Sequence, residues 1–482
     1  MNFKLIGSIL GLLMSLCGLF MLLGIPFAFY FRESPVPLLV SGMVAVVFGV
    51  FFWLFFKRDL KVNELKNKEG YLVVALGWVS MAMVGMLPYL TSGAIPDVTG
   101  AFFETMSGLT TTGASVLTDI EAVPKNILFW RSLTQWIGGM GIIVLTVALL
   151  PMIGVGGMQM FIAEAPGISY DKIKPRIRDT AVRLWGIYAG LTLVESVLLW
   201  FGGMSIFDAL NHSLTTMATG GFSTLNSSMI EQSPYIQYIV IIFMFLAGVN
   251  FSLTYFGLKG KLARVWNDEE FKAYLTAIFI FVIIATLGIY NFTNAPFEKS
   301  FRDASFQVVS IITTTGFVSA DYTSWGPLLM VLFFFFMFLG GSAGSTAGGV
   351  KIVRHVVLIK NSFLEMKRLL HPHAIIPVRL NKKAISQKIT YNVLAFIMIY
   401  ITIFVLSSIL VGLTGLDFET TMGAVATSLG NIGPGFGAVG PYDNFYALPD
   451  ITKWILSFLM LLGRLELFTI LILFTPYFWR KV

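Results

Sequence analysis

Long apolar blocks alternate with short polar loops along the whole chain. Most blocks hold about 18 to 26 residues with few charges, which is the length that a helix needs to cross a hydrocarbon core of roughly 30 Å. We predict ten spanning segments, at approximately residues 5–30, 37–56, 71–89, 128–153, 182–201, 235–258, 273–290, 326–370 with an interruption, 389–411 and 454–477. The pattern predicts an all-α membrane protein with many spans.

Basic residues concentrate in alternate loops between these segments. The loops after the second, fourth, sixth and eighth segments, together with the two termini, hold 26 of the 33 Lys and Arg residues. The opposite loop between Phe201 and Tyr235 holds none. Because positively charged loops stay on the cytoplasmic side of a membrane, this pattern predicts that both termini are cytoplasmic.

Composition excludes several classes of protein. Of the 482 residues, 56% are hydrophobic and only 12% are charged, whereas a soluble protein has roughly a quarter of its residues charged. The single cysteine, Cys17, permits no internal disulfide and no cysteine-ligated metal centre. Since the topology accounts for the net charge of +7, we expect no nucleic-acid partner.

Four of the outer loops share a repeated pattern. Each contains an apolar stretch too short to span the membrane, and four windows of fourteen residues align without a gap and end in glycine, at residues 100–113, 208–221, 303–316 and 420–433. The eighth position always carries a hydroxyl group, on Ser107, Thr215, Ser310 or Thr427. The pattern predicts four units of helix, pore half-helix and helix around one central pore, with two extra helices before them.

The repeat divides the chain into five parts. We predict two N-terminal transmembrane helices in residues 1–68, pore repeat 1 in residues 69–180 and pore repeat 2 in residues 181–268. Pore repeat 3, which contains the broken eighth segment, spans residues 269–386, and pore repeat 4 spans residues 387–482.

The glycine turns have a physical use at membrane depth. Irregular backbone is tolerated there only where it lines a cavity or is buried in protein. A glycine lets consecutive carbonyl groups point at one axis, and rings of carbonyl oxygens replace the hydration shell of potassium in channel filters. The alternative is that each Thr-Gly turn only ends a short re-entrant helix. Four turns at the same offset favour a filter.

The same segments resemble those of a known family. Residues 110–115 (TTTGAS), 218–224 (ATGGFST), 313–319 (TTTGFVS) and 430–437 (GNIGPGFG) are similar to the four pore loops of the Trk/Ktr/HKT potassium-transport superfamily. The two extra helices and the segments QWIGGMGIIVL, LPMIGVGGMQ and GRLELFTILILFTPYFWR resemble the TrkH/TrkG-type subunits.

The resemblance implies a potassium-selective pore whose filter glycines are Gly113, Gly221, Gly316 and Gly433. Together with the residues that precede each glycine, the predicted K⁺-binding residues are Thr111, Thr112, Gly113, Thr219, Gly220, Gly221, Thr314, Thr315, Gly316, Asn431, Ile432 and Gly433. The resemblance also implies that members with serine at the position of Gly113 pass sodium.

Two features below the third filter segment are candidates for a gate. The eighth segment contains Gly340, Gly341, Gly344, Gly348 and Gly349, and so many glycines should unwind a helix. Close packing by small residues is the alternative. Arg464 lies midway along the tenth segment, where an arginine should face water or a partner. The resemblance implies that the glycine-rich stretch and Arg464 together obstruct the pore.

We therefore expect K⁺ uptake through a gated, channel-like pore, with K⁺ as the transported ion, no covalently bound cofactor and no enzymatic activity. The alternative is a secondary transporter coupled to H⁺ or Na⁺, in which Arg464, Glu466 and the broken segment form a midplane site. The resemblance also implies a homodimer in membrane lipid, in a bacterial inner membrane, with a cytoplasmic TrkA-like subunit that binds a nucleotide.

Overall fold

The computed structural model of the protein describes residues 1–57, 67–141, 177–374 and 376–480. This part of the chain is mainly helical, and a short antiparallel hairpin pairs β1 (Arg379–Leu380) with β2 (Lys383–Ala384). The helices of the first half are α1 (Phe3–Leu22), α2 (Ile25–Phe31), α3 (Val36–Lys57), α4 (Asn67–Gly85), α5 (Leu87–Ser92), α6 (Val98–Leu109), α7 (Lys125–Gly139), α8 (Ile177–Phe201), α9 (Ile206–Met217), α10 (Pro234–Ala247), α11 (Phe251–Leu258) and α12 (Leu262–Trp266).

The second half continues the same pattern of long and short helices. They are α13 (Glu269–Thr293), α14 (Phe297–Ile312), α15 (Pro327–Phe336), α16 (Ile352–Leu370), α17 (Gln387–Gly412), α18 (Phe418–Gly430), α19 (Asp450–Arg464), α20 (Phe468–Leu471) and α21 (Pro476–Trp479). Short 3₁₀ turns occur at Tyr322–Trp325, Gly437–Val439 and Ile472–Phe474.

The two N-terminal helices α1 and α3 pack closely against each other. Gly11 and Gly18, which are seven residues apart in α1, lie against the backbone of Gly49 and Gly42 in α3. Since lipid is as apolar as leucine, helices in a membrane associate through such close contacts between small residues. Any larger side chain at these glycines would separate the pair.

Six helical spans in the described part of the chain are long and apolar enough to cross a membrane. They are Phe3–Phe31, Val36–Phe56, Lys68–Ser92, Val182–Phe201, Glu269–Thr293 and Gln387–Gly412. The number rises to eight if each of two bent pairs counts as one span. The chain is therefore a membrane protein with many spans, as the hydropathy pattern predicts.

The prediction that only the eighth segment is interrupted is wrong. Segments 235–258 and 454–477 are each bent by 110°, between Ala247 and Phe251 and between Arg464 and Phe468. The bend in the last segment includes Glu466 and Leu467, both with positive φ. The second half of the predicted segment 128–153 lies outside the described residues. In three of the four repeats, the helix after the pore helix is therefore broken.

Each of the four repeat windows forms a short helix, as predicted. These pore helices are α6, α9, α14 and α18, and they end one or two residues before the predicted filter residues. Side-chain oxygens of Asp97, Ser205 and Asp417 accept a backbone N–H at the start of α6, α9 and α18. The fold is thus all-α, with four units of helix, pore helix and helix around one axis after two additional helices. The four boundaries between the five predicted parts remain predictions.

Candidate ion-conducting site

The four predicted filter segments have the same backbone conformation. The twelfth residue of each window lies in the left-handed region, with φ between 53° and 57°, at Thr111, Thr219, Thr314 and Asn431. The last residue also has a positive φ, which is 85° at Gly113, 74° at Gly221, 80° at Gly316 and 107° at Gly433. Because three of the left-handed residues are β-branched threonines, this conformation is costly and must be imposed by its surroundings.

The pore helices themselves impose this conformation. Each ends in a Schellman motif, in which the left-handed residue reverses the chain and two amides bond back to the last helical turn. The longer bond runs from position thirteen to position eight, and its N–O distances are 2.8 Å for Thr112–Ser107, 2.9 Å for Gly220–Thr215, 2.8 Å for Thr315–Ser310 and 3.0 Å for Ile432–Thr427. The repeated hydroxyl residue at position eight therefore contributes its backbone carbonyl to this motif.

The four segments close into one ring. A Cβ atom built on a filter glycine would overlap the carbonyl oxygen of position thirteen in the next repeat, from Gly113 to Gly220, from Gly221 to Thr315 and from Gly316 to Ile432. A Cβ atom on Gly433 would lie 2.8 Å from the carbonyl oxygen of Thr112, which returns to the first repeat. The predicted filter residues of all four repeats therefore surround a single axis.

Most carbonyl groups of this ring accept no hydrogen bond from the part of the chain that the structure describes. Among the bonds between described residues, only the carbonyl of Gly220 accepts one, and the other eleven predicted filter residues have carbonyls without a donor. Buried carbonyl groups are nearly always paired in proteins, and so these oxygens need water or a cation. The C-terminal ends of four helices, which carry partial negative charge, also converge on this ring.

Side chains link neighbouring segments at the end of the ring that faces the ends of the pore helices, which we call the inner end. The amide Nδ2 of Asn431 donates to Thr112 Oγ1 at 3.0 Å and to the carbonyl of Met460 at 2.8 Å. The hydroxyls of Thr313 and Thr315 lie 2.8 Å apart, and those of Thr110 and Thr112 are equally close. The fourth segment, which departs most from the threonine pattern, is therefore tied to the first by its asparagine.

A buried ion pair lies next to the chain segments that follow the first two filter segments. The carboxylate of Glu104, in pore helix α6, accepts from Arg131 Nε at 2.7 Å, from the Ser115 hydroxyl at 2.9 Å and from the Val116 amide at 2.8 Å. Arg131 also donates to the carbonyl of Ser223 at 2.8 Å. The pair lies inside the protein and joins the chain beyond the first filter segment to that beyond the second.

A glycine loop at residues 337–351 replaces helix between α15 and α16. Gly344 and Gly349 have positive φ, while Gly340 and Gly341 pack against Gly348 and Ala347 within the loop. The predicted unwinding of the eighth segment is therefore confirmed.

The glycine loop lies against the inner end of the filter ring. The amide of Gly348 donates to Thr314 Oγ1 at 2.6 Å, and the hydroxyl of Thr346 donates to the carbonyl of Met217 at 2.9 Å. A Cβ atom on Gly348 would lie 2.7 Å from the carbonyl of Gly430 and 2.8 Å from Cβ of Asn431. The loop thus touches the second, third and fourth repeats where their pore helices end.

Arg464 joins this loop to the first repeat. Its guanidinium donates to the carbonyl of Thr346 at 2.7 Å and to the carbonyls of Gly138 and Gly139 at 2.6 Å and 2.8 Å. Glu466 forms an ion pair with Arg354 in α16. The predicted gate residues are therefore brought together, and Arg464 lies at the bend of its segment.

A cavity of about 200 Å³ opens at the other end of the ring. The four filter glycines border it, and so does the carboxylate-bearing residue Asp443. Arg131, the other charged residue of the lining, is held by Glu104. The ring therefore has a polar chamber on one side and the glycine loop on the other.

Several supporting residues are absent from the sequence-based prediction. Glu104 and Arg131 could have been found, since ionisable residues within spanning or pore segments are rare and need a partner. Gln135 and Thr346 carry no comparable signal, because neutral polar residues are common near helix ends. Only the fold brings them to the filter and to the loop.

These features define the class of the protein: a polytopic membrane protein in which four repeats surround a single axis with backbone carbonyl groups. The family model described as "Cation transport protein" and named TrkH matches residues 38–481. The TrkH potassium uptake protein of Escherichia coli K12 is 41% identical over 488 residues, with all of both chains covered. The TrkG potassium uptake protein of the same strain is 32% identical, with 94% of this chain and 93% of that protein covered.

A solved structure agrees with these relatives. The crystal structure of the potassium transporter TrkH from Vibrio parahaemolyticus superimposes with a TM-score of 0.89 at 38% identity, and all of both chains is covered. The chain belongs to the TrkH family of cation transport proteins.

Proposed function

We propose that this protein takes up K⁺ through a channel-like selective pore. The relatives at 41% and 40% identity are named potassium uptake proteins, and these matches extend over the whole chain. The twelve predicted filter residues would bind the ion, since carbonyl oxygens at a fixed spacing replace the water around potassium.

The ring of carbonyl oxygens is the strongest structural support for a K⁺ pore. Eleven of its twelve carbonyls lack a hydrogen-bond donor among the described residues, and the side chains of Thr111, Thr219, Thr314 and Asn431 are fully buried behind them. A buried ring of oxygen acceptors, of which all but one lack a donor among the described residues, favours a cation. The converging C-termini of four pore helices add negative potential at the same place.

In this proposal the glycine loop and Arg464 gate the pore. The loop crosses below the ring, and Arg464 fixes it to the first repeat through carbonyl groups. A positive charge beneath a cation filter is an electrostatic barrier, and a loop in the pathway is a steric one. Conduction then requires both to move.

The alternative mechanism is transport coupled to H⁺ or Na⁺. It needs ionisable groups that exchange partners at the midplane. Glu466 is ion-paired with Arg354, and Arg464 donates to three backbone carbonyls. Because these charges hold structural bonds, the geometry favours the channel-like mechanism.

Ion flux into vesicles distinguishes the channel-like mechanism from the coupled one. Purified protein in vesicles is given rubidium or sodium, with and without a gradient of H⁺ or of a second cation. We expect rubidium to enter down its own gradient and sodium to enter poorly. Rubidium accumulation that follows an imposed H⁺ or Na⁺ gradient would identify a coupled transporter instead.

We also propose the assembly and the location. The protein would form a homodimer in the lipid of a bacterial inner membrane, with both termini cytoplasmic and with a TrkA-like nucleotide-binding subunit on that side. The alternation of basic loops supports the orientation. The glycine loop continues directly into α16, which gives a cytoplasmic subunit a short route to the pore.

A further inference from the structure

Gln135 makes two hydrogen bonds to the second filter segment. It lies in α7, one helical turn after Arg131, and its side chain is fully buried. Its Nε2 donates to the carbonyl of Gly220 at 2.7 Å, and its Oε1 accepts from the amide of Phe222 at 3.0 Å. A residue of the first repeat thus holds the filter of the second on both sides of Gly221.

Gln135 also occupies the space of a missing side chain. The thirteenth position carries Thr112, Thr315 and Ile432 in the other three windows but Gly220 in the second. A Cβ atom built on Gly220 would overlap the amide group of Gln135. Gln135 therefore replaces, from a neighbouring repeat, the side chain that the other segments supply themselves.

This arrangement breaks the fourfold equivalence of the ring. Of the twelve filter carbonyls, Gly220 alone has a donor among the described residues. A hydrogen bond uses one lone pair of that oxygen and fixes its direction. Ion discrimination depends on the number and orientation of carbonyl dipoles, and so one fixed carbonyl affects the preference of the whole ring.

We infer that Gln135 is a positioning residue that determines ion specificity, because it holds the Gly220 carbonyl in the filter ring. This inference rests on the proposed K⁺-selective function. Gln135 acts through the backbone of Gly220 and Phe222, and so it should affect the ratio of ion fluxes more than the stability of the fold.

The Gln135→Met variant tests this role, since methionine keeps the length of the side chain and removes both hydrogen bonds. We expect the ratio of rubidium to sodium uptake in vesicles to fall about threefold to tenfold, which is the effect of losing one neutral hydrogen bond, here the one to the ring carbonyl of Gly220. Gln237→Met is the matched control, because Gln237 is a buried glutamine of α10 that donates to the carbonyl of Met229 at 2.8 Å, away from the ring. It should keep the wild-type ratio.

A double variant tests the replacement of the missing side chain. Gln135→Ala with Gly220→Thr converts the second segment to the Thr-Thr-Gly order of the first and third. We expect it to discriminate better than Gln135→Ala alone, and equal ratios would contradict the inference. This comparison also serves if Gln135→Met fails to fold.

The rubidium-to-sodium ratios of the wild type and of the two variants test the proposed function and the role of Gln135 separately. A wild-type protein that does not prefer rubidium to sodium would overturn the proposed function. If the wild-type protein prefers rubidium to sodium and the Gln135→Met variant has the same preference, only the role of Gln135 is overturned. A fall in ratio that Gln237→Met shares would indicate a general loss of packing and would also overturn it.

Discussion

Each predicted filter glycine is required by the backbone of the ring for two separate physical reasons. Its φ lies between 74° and 107°, a region that residues with a Cβ atom rarely adopt. In addition, a Cβ atom there would approach or overlap a carbonyl oxygen of the next repeat. Substitution therefore disturbs two segments of the ring at once.

We predict that Gly113→Ser lowers the ratio of rubidium to sodium flux by about tenfold, equivalent to about 1.4 kcal/mol. The added side chain would displace the carbonyl of Gly220. Gly93→Ser is the matched control, since Gly93 also has a positive φ (72°) but has open space around it. An unchanged ratio in folded Gly113→Ser protein would contradict the filter assignment.

Arg464 makes three hydrogen bonds from a charged group to backbone carbonyls, each of about 1.5–3 kcal/mol. We predict that Arg464→Ala raises basal rubidium flux severalfold, because the loop loses its link to the first repeat and the barrier loses its charge. Arg302→Ala is the control, since Arg302 pairs with Glu298 in α14, away from the loop. Equal fluxes in wild type and Arg464→Ala would reject the gate assignment.

The ion pair of Glu104 and Arg131 supports a stability prediction. Removing one partner of a buried pair leaves an uncompensated charge, and so Glu104→Ala should lower the free energy of unfolding by about 3–5 kcal/mol. Glu298→Ala, which breaks the more exposed pair with Arg302, should cost at most about 1 kcal/mol. Thermal unfolding in detergent measures both, and equal effects would refute the structural role of the buried pair.

At the scale of elements, each pore helix determines the shape of the filter that follows it. The Schellman motif at its end fixes the left-handed residue and turns the chain toward the axis. The glycine loop then packs on these same helix ends, through Met217 and Gly430. Filter and loop are therefore mechanically connected.

We predict that deleting four residues between Gly340 and Gly349 raises basal flux above that of wild type, since the shortened loop no longer reaches Thr314 and Met217. Gly348→Ala should act in the same direction, because its Cβ would press against Gly430 and Asn431. Gly190→Ala, in α8 with open space around it, is the control. Flux measured in vesicles decides the matter, and a loop deletion without effect would show that the loop is no barrier.

At the scale of the whole molecule, the regulation that we propose comes from a subunit outside the chain. The basic loops, which we propose to be cytoplasmic, are each too short for a domain of 50 or more residues, and α16 begins directly after the glycine loop. In this proposal coupling needs two discrete positions of α16, and the ion pair of Arg354 with Glu466 stabilises the one that the structure shows.

We predict that the protein purifies from native membranes as a homodimer with a soluble nucleotide-binding subunit in stoichiometric amount. Mass spectrometry of the intact complex and of its components measures both. Removal of the subunit should change the basal flux and abolish any response to nucleotide. A chain that purifies alone and gates normally would contradict this proposal.

The sequence by itself determined the membrane class, the fourfold repeat and the position of the glycine that each repeat contributes to the ring. These follow from apolar length and from glycine, both of which act locally, and the unwound eighth segment follows for the same reason. The bends near Gly248 and Glu466 were not predicted, because a bend in an apolar helix depends on what packs against it.

Only the tertiary structure decided how the repeats support one another. The bonds from Gln135 to Gly220, from Arg131 to Ser223 and from Arg464 to Gly138 join residues that are 85, 92 and 326 positions apart. No local pattern encodes such pairs, because each partner is an ordinary backbone carbonyl until the fold brings a donor to it. The ring of carbonyls depends on both the local sequence and the tertiary structure, because helix caps shape each segment and contacts between distant residues hold the four segments together.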